Sequence, residues 1–317
     1  MPGPLVDTER GVFLSLSRGI GPNAYDNRQD AQTADARRAM DMTGENGLTA
    51  FGIMLRFFRG IVRRRYLLRH MVVRDLRNRY TGSLIGVFWS VIHPTIMVLT
   101  YTFIFSFVLK AKLGVEAGGI NYTLWLLCGL LPWFLFSETL QRSSNILIEN
   151  KTLITKSLFP SELLPVSVIL SNMLNHAVVF TIIVAIVLAS RGALHPAILL
   201  LPFYTCMLVL FSLGLSWFVS SVNIFFRDVG QIINVIVGFW FFYTPIFYDP
   251  NTLSPALKTV LMFNPLYHLV EGYRLALLGV GEPGLWGAAY LCLLSVGSFA
   301  FGGMVFRRLK PEFAEIL

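Results

Sequence analysis

The stretch Glu149-Asn-Lys-Thr-Leu-Ile-Thr-Lys-Ser-Leu-Phe-Pro-Ser-Glu-Leu-Leu-Pro165 separates two apolar runs that are each long enough to cross a membrane. It is too short to be a domain, yet it carries four charged side chains, those of Glu149, Lys151, Lys156 and Glu162. The pattern predicts a short helix that stops at Phe159-Pro160, because the residue before a proline avoids the helical region. Such a helix suits contact with a soluble partner; an ordinary loop that obeys the positive-inside rule is the alternative.

Apolar residues dominate the chain on both sides of this stretch. Of the 317 residues 55% are hydrophobic and only 14% are charged, and the mean hydropathy is +0.63. A soluble domain has about 45–50% apolar and about 25% charged residues, so the composition is that of a membrane protein. The net charge of +8 lies mostly beside the apolar runs, where anchoring at the cytoplasmic face explains it, and we expect no nucleic acid partner.

Six apolar runs, each close to the ~20 residues that a helix needs to cross a bilayer, occupy 84–109, 121–141, 163–189, 197–222, 230–248 and 285–306. We therefore predict an all-α membrane protein with a six-span transmembrane domain over residues 83–307. The cysteines lie in three different runs without ligand spacing, so neither a disulfide nor a metal site is expected. They are Cys128, Cys206 and Cys292.

The lysines and arginines indicate the orientation of these runs. With both termini in the cytoplasm, 21 of the 26 lie on the inner side and five on the outer side. The segment 149–165 is then cytoplasmic as well. Residues 1–50 are polar and are predicted to be a disordered cytoplasmic tail, and residues 308–317 a second cytoplasmic tail.

Residues 51–82 combine apolar side chains at helical spacing with nine arginines. This is a basic amphipathic helix suited to lie in the headgroup plane. We call it the interface helix. Two roles stay open: it transmits motion between a partner and the first span, or it is a plain membrane-surface anchor.

The outer segment 249–283 is moderately apolar but too interrupted to span the membrane twice. Asn251-Thr-Leu-Ser-Pro255 provides a start for one short helix, and Asn264-Pro265 starts another that ends at Gly279. The two helices either dip back into the membrane or lie on its outer surface as a hairpin. Glu271 and Arg274 form either an intrahelical pair or part of an exit gate.

The fifth run ends in Phe239-Trp-Phe-Phe-Tyr-Thr-Pro-Ile-Phe-Tyr248. Aromatic faces stack on the apolar faces of sugar rings, so a subset of these side chains is a candidate for a pore along which a polysaccharide slides. The commoner use of such residues is an aromatic belt at the membrane interface.

The sequence contains no Gly-x-x-x-x-Gly-Lys-Ser/Thr motif, no nucleophile elbow and no His-Glu-x-x-His motif. If the protein uses ATP, another chain must supply the nucleotide site. We therefore expect that this chain is not an enzyme and binds no cofactor. The sequence offers little support for the enzyme alternative, a membrane glycosyltransferase. A proton-driven transporter would need buried carboxylates, and the first, third, fourth and sixth runs contain no Asp or Glu.

Three segments, in this order, resemble the ABC-2 permeases that export bacterial O-antigen, capsule and teichoic acid. They are Arg74-Asp-Leu-Arg-Asn-Arg-Tyr-Thr-Gly-Ser-Leu-Ile-Gly-Val-Phe-Trp89 with His93-Pro94, then Leu153-Ile-Thr-Lys-Ser-Leu-Phe-Pro-Ser-Glu-Leu-Leu-Pro165, then Phe263-Asn-Pro-Leu-Tyr-His-Leu-Val-Glu-Gly-Tyr-Arg274. Together with the six runs, the likeness covers about residues 55–310. Residues 1–50 lie beyond the family core.

The resemblance implies that two copies of the chain form one pore in the bacterial inner membrane. Two copies of a separate ATPase subunit, which bind ATP and magnesium, would dock at the interface helix and at 149–165, the coupling segment. The cargo would be a lipid-linked polysaccharide, with O-antigen as first choice and capsule or teichoic acid as alternatives. A lipid or drug exporter of the broader ABC-2 group is the closest rival.

The candidate site residues fall into three groups. The ATPase-coupling group is Glu149, Asn150, Lys151, Leu153, Ile154, Lys156, Phe159, Pro160 and Arg74. The pore group, for contact with sugars, is Trp133, Phe134, Phe239, Trp240, Phe242 and Tyr243. The outer gate, within 249–283, is Asn264, Pro265, Tyr267, His268, Glu271 and Arg274.

Overall fold

The computed structural model describes residues 63–80, 89–108, 121–156, 159–281 and 284–317. Every regular element in these ranges is helical, so the all-α prediction is confirmed for this part of the chain. The predicted tail 1–50 and the first part of the interface helix lie outside the described residues.

The helices are, in chain order, α1 Arg65–Tyr80, α2 Trp89–Thr102, α3 Tyr122–Glu149, α4 Lys151–Lys156, α5 Leu163–Arg191, α6 Leu201–Phe225, α7 Val229–Tyr243, α8 Pro255–Met262, α9 Pro265–Leu278, α10 Leu285–Leu309 and α11 Phe313–Ile316. A π-helical segment, Phe103–Val108, continues α2. Short 3-10 turns precede three helices: Pro196–Leu200 before α6, Pro250–Thr252 before α8 and Lys310–Glu312 before α11.

Within the described residues, four helices are long and apolar enough to cross a membrane. They are α3, α5, α6 with its 3-10 turn, and α10 with the segment that follows it. The fifth, α7, is apolar but shorter: its 15 residues rise about 23 Å, against a hydrocarbon core of about 30 Å. It ends at Tyr243 instead of 248, because Thr244 precedes Pro245 and takes an extended conformation.

The helix α3 lies at the centre of the bundle and packs against α5, α6, α7 and α9. The closest helix pair is α6 with α10. A Cβ on Gly302 would lie 1.9 Å from the carbonyl oxygen of Gly214, so at this crossing the two backbones are in direct contact. Small residues allow such close approach between helices in a membrane.

The two outer helices differ in burial. Asn264 caps α9 by accepting a hydrogen bond from the Leu266 N–H (3.0 Å), and Gly279 ends it at a φ of 71°. Eleven of the 14 residues of α9 are buried against neighbouring helices, whereas α8 buries only Leu261. A helix lying on the surface keeps one face exposed along its length, so α9 fits a helix inserted among the spans and α8 fits a surface helix.

Candidate functional site

The coupling segment begins with a sharp turn between two helices. Asn150 ends α3, where its side-chain nitrogen donates to the carbonyl of Ile146 at 2.9 Å. Its own carbonyl accepts from the Leu153 N–H at 3.0 Å, so α4 starts immediately after Asn150, whose φ of −107° and ψ of 24° interrupt the helical conformation. Lys151 is exposed on α4. The result is a six-residue helix at the end of the bundle.

The apolar members of the coupling group anchor this segment to the bundle. Ile154 and Phe159 are half-buried and pack against the hydrophobic core, and Leu153 and Pro160 are half-buried as well. Glu149 is exposed at the last position of α3, one residue before the turn. The side chain of Lys156 lies outside the described part of the structure.

The helix α1 packs on the bundle through one face, whose positions follow helical spacing: Leu68, Met71, Val72, Asp75 and Leu76. Its other described side chains, arginines among them, are exposed. This face packs against α5, but the exposed side also carries the apolar Tyr66, Leu67 and Val73, so the described part of the helix is only weakly amphipathic.

Two polar contacts join α1 to the end of α3 and to the coupling segment. Arg74 donates from Nη2 to Oδ1 of Asn150 at 3.0 Å, which brings two members of the coupling group together. Asp75 pairs with Arg142 of α3 at 2.5 Å, and Arg142 also donates to Asn172 of α5 at 3.0 Å. These contacts tie α1 to Asn150 and to the end of α3.

Glu162, just before α5, contacts residues from three other parts of the chain. It was not among the candidate site residues chosen from the sequence. Its carboxylate accepts from Arg64 at 3.0 Å and from Lys310 at 2.6 Å, and its carbonyl accepts from the Trp217 indole at 3.2 Å. Burial acts to raise the pKa of the Glu162 carboxyl, but the hydrogen bond from Lys310 and the charge of Arg64 outweigh it and hold the pKa below its usual value.

The pore group divides by exposure. Phe239 and Phe242 are exposed on α7, by 74% and 66%, and Tyr243 is exposed beside them. Trp133 is buried, with its ring centroid 5.3 Å from that of Phe241. Phe239, Phe242 and Tyr243 are therefore accessible at the surface of the chain, whereas Trp133 is not.

The other two members of the pore group are half-buried. Trp240 donates its indole N–H to Oδ1 of Asn264 at 2.9 Å, which ties the end of α7 to the cap of α9. Phe134 packs 6.4 Å from the ring of Tyr101. Both side chains hold helices together inside the protomer.

Polar side chains occur on the same exposed side of α7. Gln231 and Asn234 are exposed near the start of the helix, whereas only Gly230, Ile233 and Val237 are buried. Polar residues at membrane depth normally face a helix bundle or a water-filled cavity. The exposed face of α7 therefore combines two amide side chains with aromatic ones, and the apolar Ile232, Val235 and Ile236 are exposed on this helix as well.

Arg274, placed in the outer gate by sequence, has no solvent exposure. It donates to Glu271 at 2.7 Å, to the carbonyl of Ile246 at 2.8 Å and to the carbonyl of Trp125 at 3.3 Å. Its guanidinium carbon also lies 3.3 Å from the centre of the Trp125 ring. The intrahelical pair is thus present, and the cation itself faces the interior of the protomer.

The remaining gate residues lie on α9, the helix of Arg274, and at its N-terminal cap. Pro265 is buried at the start of α9 beside the capping Asn264. Tyr267, His268 and Glu271 line an outer cavity of about 580 Å³. His268 also bonds through Nε2 to the carbonyl of Met262 at 2.8 Å, which joins α8 to α9.

Comparison with known proteins agrees with this architecture. The model of the ABC-2 type transporter family matches residues 66–278. An O-antigen export system permease protein RfbA of Myxococcus xanthus is 29% identical over 266 residues, which cover 83% of this chain and 99% of that protein. A Klebsiella pneumoniae protein of the same name is 29% identical over 261 residues, covering 80% and 96%. The polysialic acid transport protein KpsM of Escherichia coli is 22% identical over 209 residues, covering 66% and 80%.

The chain belongs to the ABC-2 type transporter family. It is accordingly a membrane-embedded protein with several apolar helices of spanning length in its described part. The family match also covers α1 except Arg65, the coupling segment and most of the outer segment.

Proposed function

We propose that this chain is the membrane-spanning permease subunit of an ATP-driven exporter of a lipid-linked polysaccharide, with O-antigen as the first candidate. Capsular polysaccharide is the second candidate, since one of the similar proteins is named for polysialic acid transport. The proposal is carried by one observation: a short charged helix, α4, follows α3 directly, and Asn150, the residue between the two helices, is bonded to Arg74 of α1.

This arrangement supports contact with a soluble motor. The chain has no nucleotide-binding motif of its own. ATP and magnesium would be bound by a separate ATPase subunit, present in two copies, that docks at α4 and α1. ATP-driven closure of the two ATPase copies would push on α4, and the contacts of Arg74 and Asp75 would pass the displacement to α1.

The pore would form between two copies of the chain in the bacterial inner membrane, each with six spans and with both termini in the cytoplasm. The exposed polar residues Gln231 and Asn234 on α7, followed by Phe239, Phe242 and Tyr243, support a shared, water-filled path on this face. Aromatic faces would let a glycan slide without tight binding. The outer segment with α8 and α9 would act as the gate.

The experiment that tests this function is a pull-down of the tagged protein from detergent-solubilised membranes of its native source. We expect an ABC ATPase subunit to co-purify in an equimolar ratio, because α4 and α1 would form its docking surface. Absence of an ATPase under conditions that preserve other ABC complexes would contradict the proposal. The cargo is then identified from the glycan that accumulates in the cytoplasm when the chain is depleted.

A further inference from the structure

The last residues of the sequence, Lys310–Leu317, form a short segment that we call the tail segment. We propose that the tail segment is part of the coupling apparatus and that Glu162, within the coupling segment, is the positioning residue that joins that segment to α1 and to the tail segment. The inference rests on the proposed function, since it concerns how motion of α4 reaches the spanning helices.

The ionic contacts of Glu162 unite three distant parts of the chain. Arg64 lies 98 positions before it and Lys310 lies 148 positions after it, yet the two cations bond to separate oxygens of one carboxylate. Arg64 immediately precedes α1, Glu162 precedes α5, and Lys310 follows α10. One side chain therefore links the interface helix, the coupling segment and the last spanning helix.

Apolar contacts hold the tail segment in the same place. Phe313 is fully buried, and its ring meets that of Phe306 edge-on at 5.3 Å. Phe306 lies 6.5 Å from Trp217, whose indole N–H donates to the carbonyl of Glu162. Glu162 is thus bonded to the tail segment through its side chain, and its backbone is bonded to Trp217 of α6, which in turn packs near Phe306 of α10.

The tail segment also touches the helix that the ATPase would push, because α11 packs against α4. A force on α4 consequently acts on α11 directly and on Glu162 through the chain that joins α4 to α5. The ion pairs are partly exposed, with side-chain exposures of 47% for Arg64 and 41% for Lys310. Pairs of this kind contribute little to folding stability, so their geometry points to positioning and transmission.

The test uses the complete complex of this chain with its ATPase, reconstituted in membrane vesicles, with ATP hydrolysis and glycan export measured separately. Glu162→Lys should lower export per ATP hydrolysed by roughly three- to thirtyfold, the range for mutations along a coupling network. The ATPase should still bind, and hydrolysis should continue. The inverted triad Arg64→Glu, Glu162→Lys, Lys310→Glu reverses every charge and should restore export.

Three milder variants cover the case in which Glu162→Lys fails to assemble. Lys310→Gln should uncouple export, Lys310→Arg should retain it, and Arg308→Gln should leave it unchanged. Arg308 is exposed two residues earlier and contacts no acidic group in the described part of the chain. Wild-type coupling in Glu162→Lys or Lys310→Gln, or no recovery in a stably folded inverted triad, would overturn the inference.

A parallel loss of thermal stability, hydrolysis and export in these variants would also overturn it, because it would make Glu162 a purely structural residue. If the proposed function itself is wrong, ATPase binding and glycan export by the wild-type protein give a different result. In that case the wild-type protein would neither bind an ATPase nor export a glycan, whatever the state of Glu162.

Discussion

At the scale of single residues, Arg274 illustrates what a buried cation requires. Removing a guanidinium from water is costly unless its hydrogen bonds are replaced. Three acceptors and the face of the Trp125 ring replace them here. Gly129 leaves the necessary room, since a Cβ there would lie 2.8 Å from Nη2 of Arg274. Arg274 therefore fixes α9 to α3 and to the turn at Ile246.

We expect Arg274→Met to lower the free energy of unfolding by about 3–5 kcal/mol, because it leaves Glu271 and two carbonyls without their donor. The measurement is thermal denaturation of the purified protein in detergent. Lys258→Met is the matched control, since Lys258 is half-exposed and donates to a single exposed side chain, Asn251. Equal stability of the two variants would show that the buried contacts of Arg274 contribute nothing.

The two charged sites also show which contacts a sequence can predict. Glu271 and Arg274 are three residues apart on one helix, so their pairing follows from helical spacing. Glu162 and Lys310 are 148 positions apart, and no local pattern connects them. The sequence thus indicated the coupling segment, which contains Glu162, but not the contact between this carboxylate and the tail segment, because that contact depends on how whole helices pack.

At the scale of helices, α6 and α10 cross at close range because the glycines at the crossing, Gly214 and Gly302, have no side chains. Apolar side chains gain little from leaving lipid for another helix, so helices in a membrane associate through close packing instead. A Cβ on Gly214 would lie 2.3 Å from the backbone of Ser298, and one on Gly302 would lie 1.9 Å from the backbone of Gly214. Because the atoms that the added Cβ would meet belong to the backbone, such a clash could be relieved only if one of the two helices moved.

Gly302→Ala should therefore destabilise the protein by about 1–3 kcal/mol, the usual cost of overpacking a core. Gly297→Ala on the same helix is the matched control, because a Cβ there meets nothing within 4 Å. It should be neutral or should stabilise the helix by up to about 1 kcal/mol. Both are measured as shifts in the denaturation temperature, and a Gly302→Ala variant as stable as Gly297→Ala would contradict the close crossing.

Helix positions could be predicted from the sequence better than helix burial. Long apolar runs and the residues Asn264-Pro265 and Gly279 mark helices through local chemistry, and the structure has helices there. The aromatic run at the end of α7 gave no indication of which rings face outward. Trp133 was grouped with it by residue type, but packing against α7 buries that ring. Exposure depends on neighbours that are far apart in sequence.

At the scale of the whole molecule, the exposed surface is unevenly polar. The outward faces of α5 and α10 carry apolar side chains such as Leu174, Leu188 and Leu293, as expected for contact with lipid. The outward face of α7 adds Gln231 and Asn234 to its aromatic side chains. Two copies related by symmetry bury the same patch on each subunit, so pairing through α7 would remove these polar groups from lipid and enclose a path between the copies.

This pairing predicts which positions come close to their counterparts in the second copy. In a variant without native cysteines, Phe239→Cys should form a dimer with a bifunctional maleimide in membranes, because position 239 would line the shared path. Leu293→Cys is the matched control: Leu293 is 71% exposed, against 74% for Phe239, but lies on the apolar face of α10. The product is read from its doubled mass in a denaturing gel. Cross-linking at 293 without cross-linking at 239 would contradict pairing through α7. The contact between the copies would then lie at α10, and Gln231 and Asn234 would face lipid, which is energetically unfavourable for polar side chains.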